Sequence, residues 1–307
     1  MADVILDTPV AAAPAKPAVS MRKMVHNPAV VFGSAIIVIV LLMGLLAPWL
    51  GTIDPTAINP IARNKVPGTE ISMRTDTGER IKMIAKFGTD SLGRDVYSRV
   101  VYGARVSLLV GVSVALISVS CGLLIGVLAG FFRILDAIIM RIMDGLMAIP
   151  AILLAIAMVS LFRSSVWTVI VAITVPQVPG VVRLVRSIVL GVREEPYVEA
   201  AVTLGTSTPK LLWRHVLPNT IAPIIVQGTF ICASAILIEA ILSFLGIGVP
   251  PEVPTWGNII AEGRQVFSLF PHNIIYPGIC LAMTILAVNI LGDGLRDTLD
   301  PKMAKRV

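Results

Sequence analysis

The chain has 307 residues, of which 56% are hydrophobic and only 14% charged, with a mean hydropathy of +0.87. Soluble domains carry about 25% charged residues, so this composition excludes an ordinary water-soluble domain and points to the lipid bilayer. The net charge of +6 would suit nucleic acid, but an excess of Lys and Arg on one side is the usual signature of membrane insertion, and no nucleic-acid partner is expected.

In chain order, the first 29 residues are rich in Ala and Pro and are expected to be a disordered cytosolic tail. The apolar run Val30–Leu50 that follows is too long for the core of a secretory signal and has no clear small-residue cleavage site, so it is expected to be an uncleaved anchor. A membrane helix needs about 20 mostly apolar residues. Further spans are expected over Val106–Phe132, Gly145–Phe162, Val166–Val182, Ile221–Ile238 (continuing past Glu239 into Ala240–Pro251) and Ile274–Gly292. The count is six, all α-helical. The third and fourth are separated by little more than Arg163 and two serines, which makes them an antiparallel pair.

Basic residues orient these spans. Arg22 and Lys23 precede the first, Arg183, Arg186, Arg193, Lys210 and Arg214 separate the fourth from the fifth, and Lys302, Lys305 and Arg306 end the chain. Only Arg163 and Arg264 fall in the two short loops on the other side. The bias places both termini and the segment around Glu199 in the cytosol. The external segment Gly51–Arg105 departs from it, with nine Lys or Arg against six Asp or Glu over 55 residues, near the length at which charge stops deciding topology.

Within the spans, Pro150, Pro176, Pro179, Gly180, Pro223 and Gly228 act as breakers. Two readings stay open: bends in a packed bundle, where neighbours re-satisfy the freed backbone, or the plain frequency of Gly and Pro in membrane helices. Gly122, Gly126 and Gly130 give one face of the second span a small-xxx-small spacing that admits a close partner. Cys121, Cys232 and Cys280 all lie in apolar runs, with spacing that suits neither a zinc site nor a disulfide framework, so no metal centre is expected.

The most informative stretch is Glu199–Pro218, EAAVTLGTSTPKLLWRHVLP, polar chain set between two membrane-grade runs. Glu195 before Pro196 favours extended backbone, and Pro196 suits a first helical position. Tyr197–Leu204 then spans about two turns, and Gly205 is a natural stop. Thr208 is expected to cap a second helix with Pro209 at its first position, running through Leu217 until Pro218 limits it. Glu199 stands beside Ala200 and Ala201, small residues that let a partner groove close around the backbone. Leu212 and Val216 share one face of the second helix, Lys210 and Arg214 another. An amphipathic loop lying on the lipid surface is the competing reading.

EAA, three residues, Gly205, and a helix ending Val216-Leu217-Pro218 resemble the coupling motif of bacterial ABC-importer permeases, with His215 where the family often has an aliphatic residue. Phe87–Leu108, Ser243–Ile260 and Leu291–Lys302 resemble three further stretches of the dipeptide and oligopeptide permeases. Together the motifs cover the chain from Phe87 to its end. The resemblance is to the C-type permease subunit of a dipeptide or oligopeptide importer. It implies the type I ABC importer permease fold, with an anchor and external segment over 30–102, a core over 103–296 and a cytosolic C-terminal tail over 297–307. It also implies partners: a related B-type permease, two cytosolic ATPase subunits that bind ATP and Mg, and an external substrate-binding protein. Glu199, Ala200, Ala201, Gly205, Leu217 and Pro218 would then couple to the ATPase. The same branch resembles carriers of glutathione, nickel chelates and opines.

The chain has no G-x-x-x-x-G-K-[ST] phosphate loop, and a 55-residue loop cannot hold a nucleotide-binding domain. No cofactor and no catalytic residue are expected in the chain itself. A buried carboxylate in a span is a functional suspect. Three readings of Glu239 stay open: it faces the translocation path, meets a positive substrate group, or pairs with a neighbouring subunit. Asn289 and Gln227 can hydrogen-bond between helices at modest gain, and packing is the role expected of them; Asp293, Arg296 and Asp297 are expected to form a solvated cluster at the cytosolic end of the last span. Arg94 and Asp95 either meet the delivery protein or cap the following helix. An ion-gradient-driven carrier would need more ionisable residues in the spans or a two-half repeat. An intramembrane metalloprotease would need H-E-x-x-H, which is absent, and His26, His215 and His272 lie outside the apolar cores.

Overall fold

The computed structural model describes residues 26–74 and 80–299. The expectations for most of the N-terminal tail, for Arg22 and Lys23, and for Lys302, Lys305 and Arg306 fall outside these residues. The first helix, α1 (Pro28–Leu45), carries no charge. Asn27 caps it, its Oδ1 accepting the Ala29 N–H at 2.9 Å, and Pro28 takes a position where a missing N–H is no loss.

The external segment is not a plain loop. It carries an antiparallel hairpin of β1 (Thr69–Arg74) and β2 (Arg80–Ala85), in register with Ile71 opposite Met83 and Thr69 opposite Ala85. Ile71, Met73 and Ala85 bury together with Ala62 in a small core separate from the helices. The next helix, α2 (Val96–Phe131), begins at Val96 rather than the expected Val106. Its first turns hold Arg99 and Arg105, so hydropathy alone misses them; Val96, Arg99, Val100 and Ala104 are buried there, while Arg105 stays exposed.

The expected span Gly145–Phe162 is corrected. Its residues belong to α3 (Arg133–Met147) and α4 (Ala151–Leu161), which meet at an angle of 87°. The break falls at Pro150, which has no N–H to continue the helix and disfavours helical backbone at Ile149. Then follow α5 (Val166–Arg193), which contains Pro176 and Pro179, and the short α6 (Pro196–Thr203). Next come α7 (Thr208–Leu211), a π turn over Leu212–Val216, and α8 (Leu217–Phe244). The chain closes with α9 (Trp256–Gly263) and α10 (His272–Leu299).

The seam at the centre is α2 against α5. A Cβ placed on Gly122, Gly126 or Gly130 would lie 2.4, 2.7 and 2.7 Å from the Cβ atoms of Val181, Val185 and Val189. The small-xxx-small face thus meets valines at the same spacing of four, and the two backbones approach as closely as a side chain permits. The first and last helices pack likewise: a Cβ on Gly33 would stand 2.8 Å from the Ala287 carbonyl oxygen.

These contacts sort the helix ends. Asn27 Nδ2 donates to the Gly294 carbonyl at 3.4 Å, so the start of α1 lies beside the end of α10. Arg193 Nη1 donates to the Gly130 and Phe131 carbonyls at 3.1 and 3.0 Å, joining the ends of α5 and α2. At the opposite end of the bundle, Ser164 Oγ donates to the Gly248 carbonyl, and Arg105 Nη2 reaches the Leu45 carbonyl at 3.2 Å. Residues 132–165 therefore carry the chain from one end to the other. Among the described residues, five helices are long and apolar enough to cross a membrane, and the broken pair counted as one span makes six, with the start of α1 and the end of α10 on one side.

Candidate functional site

The segment singled out by the sequence lies at the end of the bundle that holds the starts of α1 and α8 and the ends of α2, α5 and α10. Its first helix stops where Gly205 adopts a left-handed φ of +75°. The Gly205 N–H bonds to the Val202 carbonyl at 2.9 Å and the Thr206 N–H to the Ala201 carbonyl at 3.0 Å. This is the double bond pattern that closes a helix on a glycine.

The second helix differs from expectation at both ends. Ser207, not Thr208, takes the cap position, without a side-chain cap bond, and Pro209 is the second helical residue. Pro218 does not end the helix. Its missing N–H leaves a gap in the bonding ladder, and the chain absorbs it by widening: the Leu217 N–H bonds five residues back to Leu212. The result is a continuous helical rod from Thr208 to Phe244, 37 residues long.

Three buried apolar residues pin the segment, namely Val198, Leu211 and Val216. Tyr197 ties the two helices together, its hydroxyl accepting from Asn219 Nδ2 at 3.2 Å while its ring lies 6.0 Å from that of His215. Partial burial pushes the Tyr197 phenol up from its ordinary value, against the opposing pull of the Asn219 bond. The outward face carries Glu199, Ala200, Val202 and Leu204, with Leu204 85% exposed. Trp213 on the second helix is 78% exposed. Glu199, Ala200 and Gly205 are thus brought together on one open surface; Ala201 is half-buried behind them, and Leu217 and Pro218 lie at the root of the rod.

Sequence reasoning used Arg183, Arg186 and Arg193 only to orient the chain. The structure gives each a contact. Arg186 Nη2 meets Asp136 Oδ2 at 2.7 Å, Arg183 pairs with Asp144, and Arg193 lies over the Phe131 ring at the negative end of the α2 dipole. The amphipathic α3 is therefore clamped to α5. An acidic residue at every second helical turn of α3 was the available signal.

At the other end of the bundle, the open question about Arg94 and Asp95 resolves into structure. Asp95 Oδ2 accepts from the Ser98 N–H at 2.8 Å, capping α2, and burial raises its carboxyl above the ordinary range. Asp90 Oδ2 receives Arg94 Nε and Arg99 Nη1, both at 2.7 Å, and both arginines also bond Glu262 of α9. Trp256 Nε1 donates to the Val100 carbonyl at 3.0 Å. The two external motifs thus form one buried ionic joint between α2 and α9.

Glu239 is fully enclosed by its own chain where α9 crosses α8; a Cβ on Gly257 would stand 2.6 Å from Ala240 Cα. Its Oε1 accepts from Ser243 Oγ at 2.8 Å, and its Oε2 has no partner among the described residues. In this conformation the carboxyl faces no open surface of the chain. Among the described residues no group of three metal-ligating side chains occurs.

Comparison with known proteins was informative. The family described as binding-protein-dependent transport system inner membrane component matches residues 122–305, and the N-terminal TM domain of oligopeptide transport permease C matches residues 18–67. A probable peptide ABC transporter permease protein of Sinorhizobium fredii is 50% identical over 92% of this chain and 91% of its own length. The dipeptide transport system permease protein of Alkalihalophilus pseudofirmus is 38% identical over 92% and 89%. The oligopeptide transport system permease protein of Bacillus subtilis is 34% identical over 93% and 90%. Among solved structures, a chain of the methionine ABC transporter MetNI matches 67% of this chain and 94% of its own, at 18% identity and a TM-score of 0.48.

Proposed function

The chain belongs to the family of binding-protein-dependent transport system inner membrane components, and from that premise we propose that it is one permease subunit of an ATP-driven peptide importer. It forms half of the translocation pore, beside a related B-type permease. Two cytosolic ATPase subunits bind ATP and Mg and carry out hydrolysis, and an external binding protein delivers the solute. The chain itself performs no covalent chemistry.

The observation that carries this reading is the docking segment. A short helix with an open face of Glu199, Ala200, Val202 and Leu204 stands on buried Val198 and is locked to a rod that continues as a span. Exposed apolar side chains beside a carboxylate on a water-facing turn fit a protein groove. The Schellman closure and the tie through Tyr197 hold the helix in one pose, which lowers the ordering cost of docking. In this reading the docking end is cytosolic, so both chain termini are cytosolic too. ATP binding that closes the ATPase pair moves the rod, and each ligand shifts the inward–outward balance only by its differential affinity for the two states.

Peptides are the preferred cargo because the relatives above are named for peptides, dipeptides and oligopeptides. A glutathione transport permease is also 42% identical over 70% of this chain, so a small peptide-like solute is the common denominator. A role for Glu239 on the path requires α9 to lift from α8. The test is ATP-driven uptake in proteoliposomes containing the whole assembly. Glu199→Lys, which reverses the charge on the docking face, is expected to abolish uptake and ATPase retention while the subunit still inserts. Normal uptake by this variant would remove the docking role.

A further inference from the structure

One face of α8 carries a polar stripe that the bundle does not use. Asn219, Pro223, Gln227, Phe230 and Ser234 fall within roughly 80° of one another at 100° per residue. All are partly accessible, Asn219 the most open. The exposed Ile221 and Ile225 point away from the stripe and suit lipid. At its cytosol-side half the stripe borders an open cavity of about 570 Å³, lined also by Leu184 of α5 and by Arg296 and Leu299 of α10. Higher up, Gln177 of α5 donates to Ser234 Oγ at 3.3 Å, so α5 adds a second carboxamide to the same wall.

Gln227 is the key residue. It lies about 15 Å along the helix from Leu217, borders the cavity, and makes no hydrogen bond among the described residues. It does not form the interhelical bond open to it beside its expected role in packing. An unpartnered amide inside a membrane-spanning helix costs several kcal/mol, so its donors and acceptor call for water, a solute or the neighbouring permease, and its place on the cavity wall favours the first two. Pro223 adds to the same face by removing the donor that would satisfy the Asn219 carbonyl. The wall therefore offers amide and carbonyl groups and, apart from Arg296 at its mouth, no formal charge.

We propose that this stripe is a wall of the solute path and that it engages the peptide groups of the solute through Gln227 and Gln177, leaving the solute's side chains unread. The inference rests on the peptide-importer reading and adds a recognition chemistry to it. Carboxamides pair with peptide N–H and C=O groups in both directions, and an uncharged wall neither rejects nor traps cationic or acidic residues. Selection among peptides is left to the external binding protein.

The experiment uses the complete assembly in proteoliposomes, with uptake of one neutral, one cationic and one acidic dipeptide measured beside binding-protein-stimulated ATP hydrolysis. Q227L is expected to slow all three by a similar factor of about tenfold, the scale of one lost hydrogen bond at a buried site, with hydrolysis within twofold of the unsubstituted protein. Q227N is expected to recover much of the rate. Uptake within twofold of normal, or loss confined to one charge class, would overturn the inference. A protein that shows no ATP-driven peptide uptake before any substitution would instead overturn the importer reading. Should Q227L fail to assemble, Q227C in a background with Cys121, Cys232 and Cys280 replaced decides the matter. Reaction with a water-soluble thiol reagent, slowed by saturating dipeptide, supports the path; no reaction from either membrane face overturns it.

Discussion

Replacing Gly205 separates a backbone requirement from a steric one. Gly205 holds φ at +75°, and a Cβ built there meets no atom within 4 Å. Within the chain, the only cost of a side chain is therefore the left-handed conformation itself, roughly 1–2 kcal/mol for an ordinary residue and less for Asn. At 1.4 kcal/mol per tenfold, Gly205→Ala lowers the population of the closed helix end by roughly 5–30-fold, and Gly205→Asn by a smaller factor. Gly205→Val, β-branched, stands at the costly end. ATP-driven uptake in proteoliposomes, normalised to the amount of inserted subunit, is expected to rank Gly, then Asn, then Ala, then Val. If the glycine were needed only so that a partner's groove can approach, side-chain size would rule, and Ala would outperform Asn. Uptake by the Ala variant equal to or above that of the Asn variant would refute the conformational argument.

The remaining predictions concern the bundle. Asp90→Asn removes one of the two carboxylates that Arg94 and the buried Arg99 share, leaving Glu262 to hold both; the cost stays below the roughly 3–5 kcal/mol of a buried charge left with no partner and should appear as a lowered thermal midpoint of the purified assembly. Gly126→Leu must force α2 from α5, because its Cβ would already stand 2.7 Å from Val185 Cβ. Overpacking of about 1–3 kcal/mol or more should reduce yield in the membrane, whereas Gly145→Ala, with no neighbour within 4 Å, should behave as the unsubstituted protein. Glu239→Gln keeps an acceptor for Ser243 Oγ and is expected to insert normally; if α9 lifts from α8 and brings this group to the path, it changes the rate or range of transport. An unchanged transport profile would assign this carboxyl to packing alone.

What could be read from the residues followed their range of action. The spans were legible because hydropathy is local and strong, and the seam of Gly122, Gly126 and Gly130 because it repeats every four residues; only its partner, the valines of α5, was out of reach. The docking segment was legible through Pro196, Gly205 and Pro209, residues that restrict the backbone wherever they stand. Pro218 misled for the same reason: its restriction is real, but a π turn over Leu212–Val216 satisfies it without ending the helix. Pro150 was recognised as a breaker, yet the size of the bend comes from how α3 is clamped by Arg183 and Arg186, a pairing across about 40 to 50 residues. The joint of Asp90, Arg94 and Arg99 with Glu262 spans more than 160 residues, and no local pattern announces such a match. The hairpin escaped because its strands are short and one face is polar.

The unbroken helix from Thr208 to Phe244 has a mechanical corollary. At 1.5 Å per residue it is about 55 Å long, with the socket for the short docking helix at one tip and the crossing with α9 near the other. The π turn over Leu212–Val216 and Pro223 lie in its inner half; where the rod turns as one body beyond them, its two tips swing oppositely about any pivot in between, like the ends of a see-saw. Pulling the inner tip toward the pore axis moves the outer tip away from it. In the importer reading proposed above, mutual exclusion of the two openings would then follow from the stiffness of a single element, with no signal passed between separate gates.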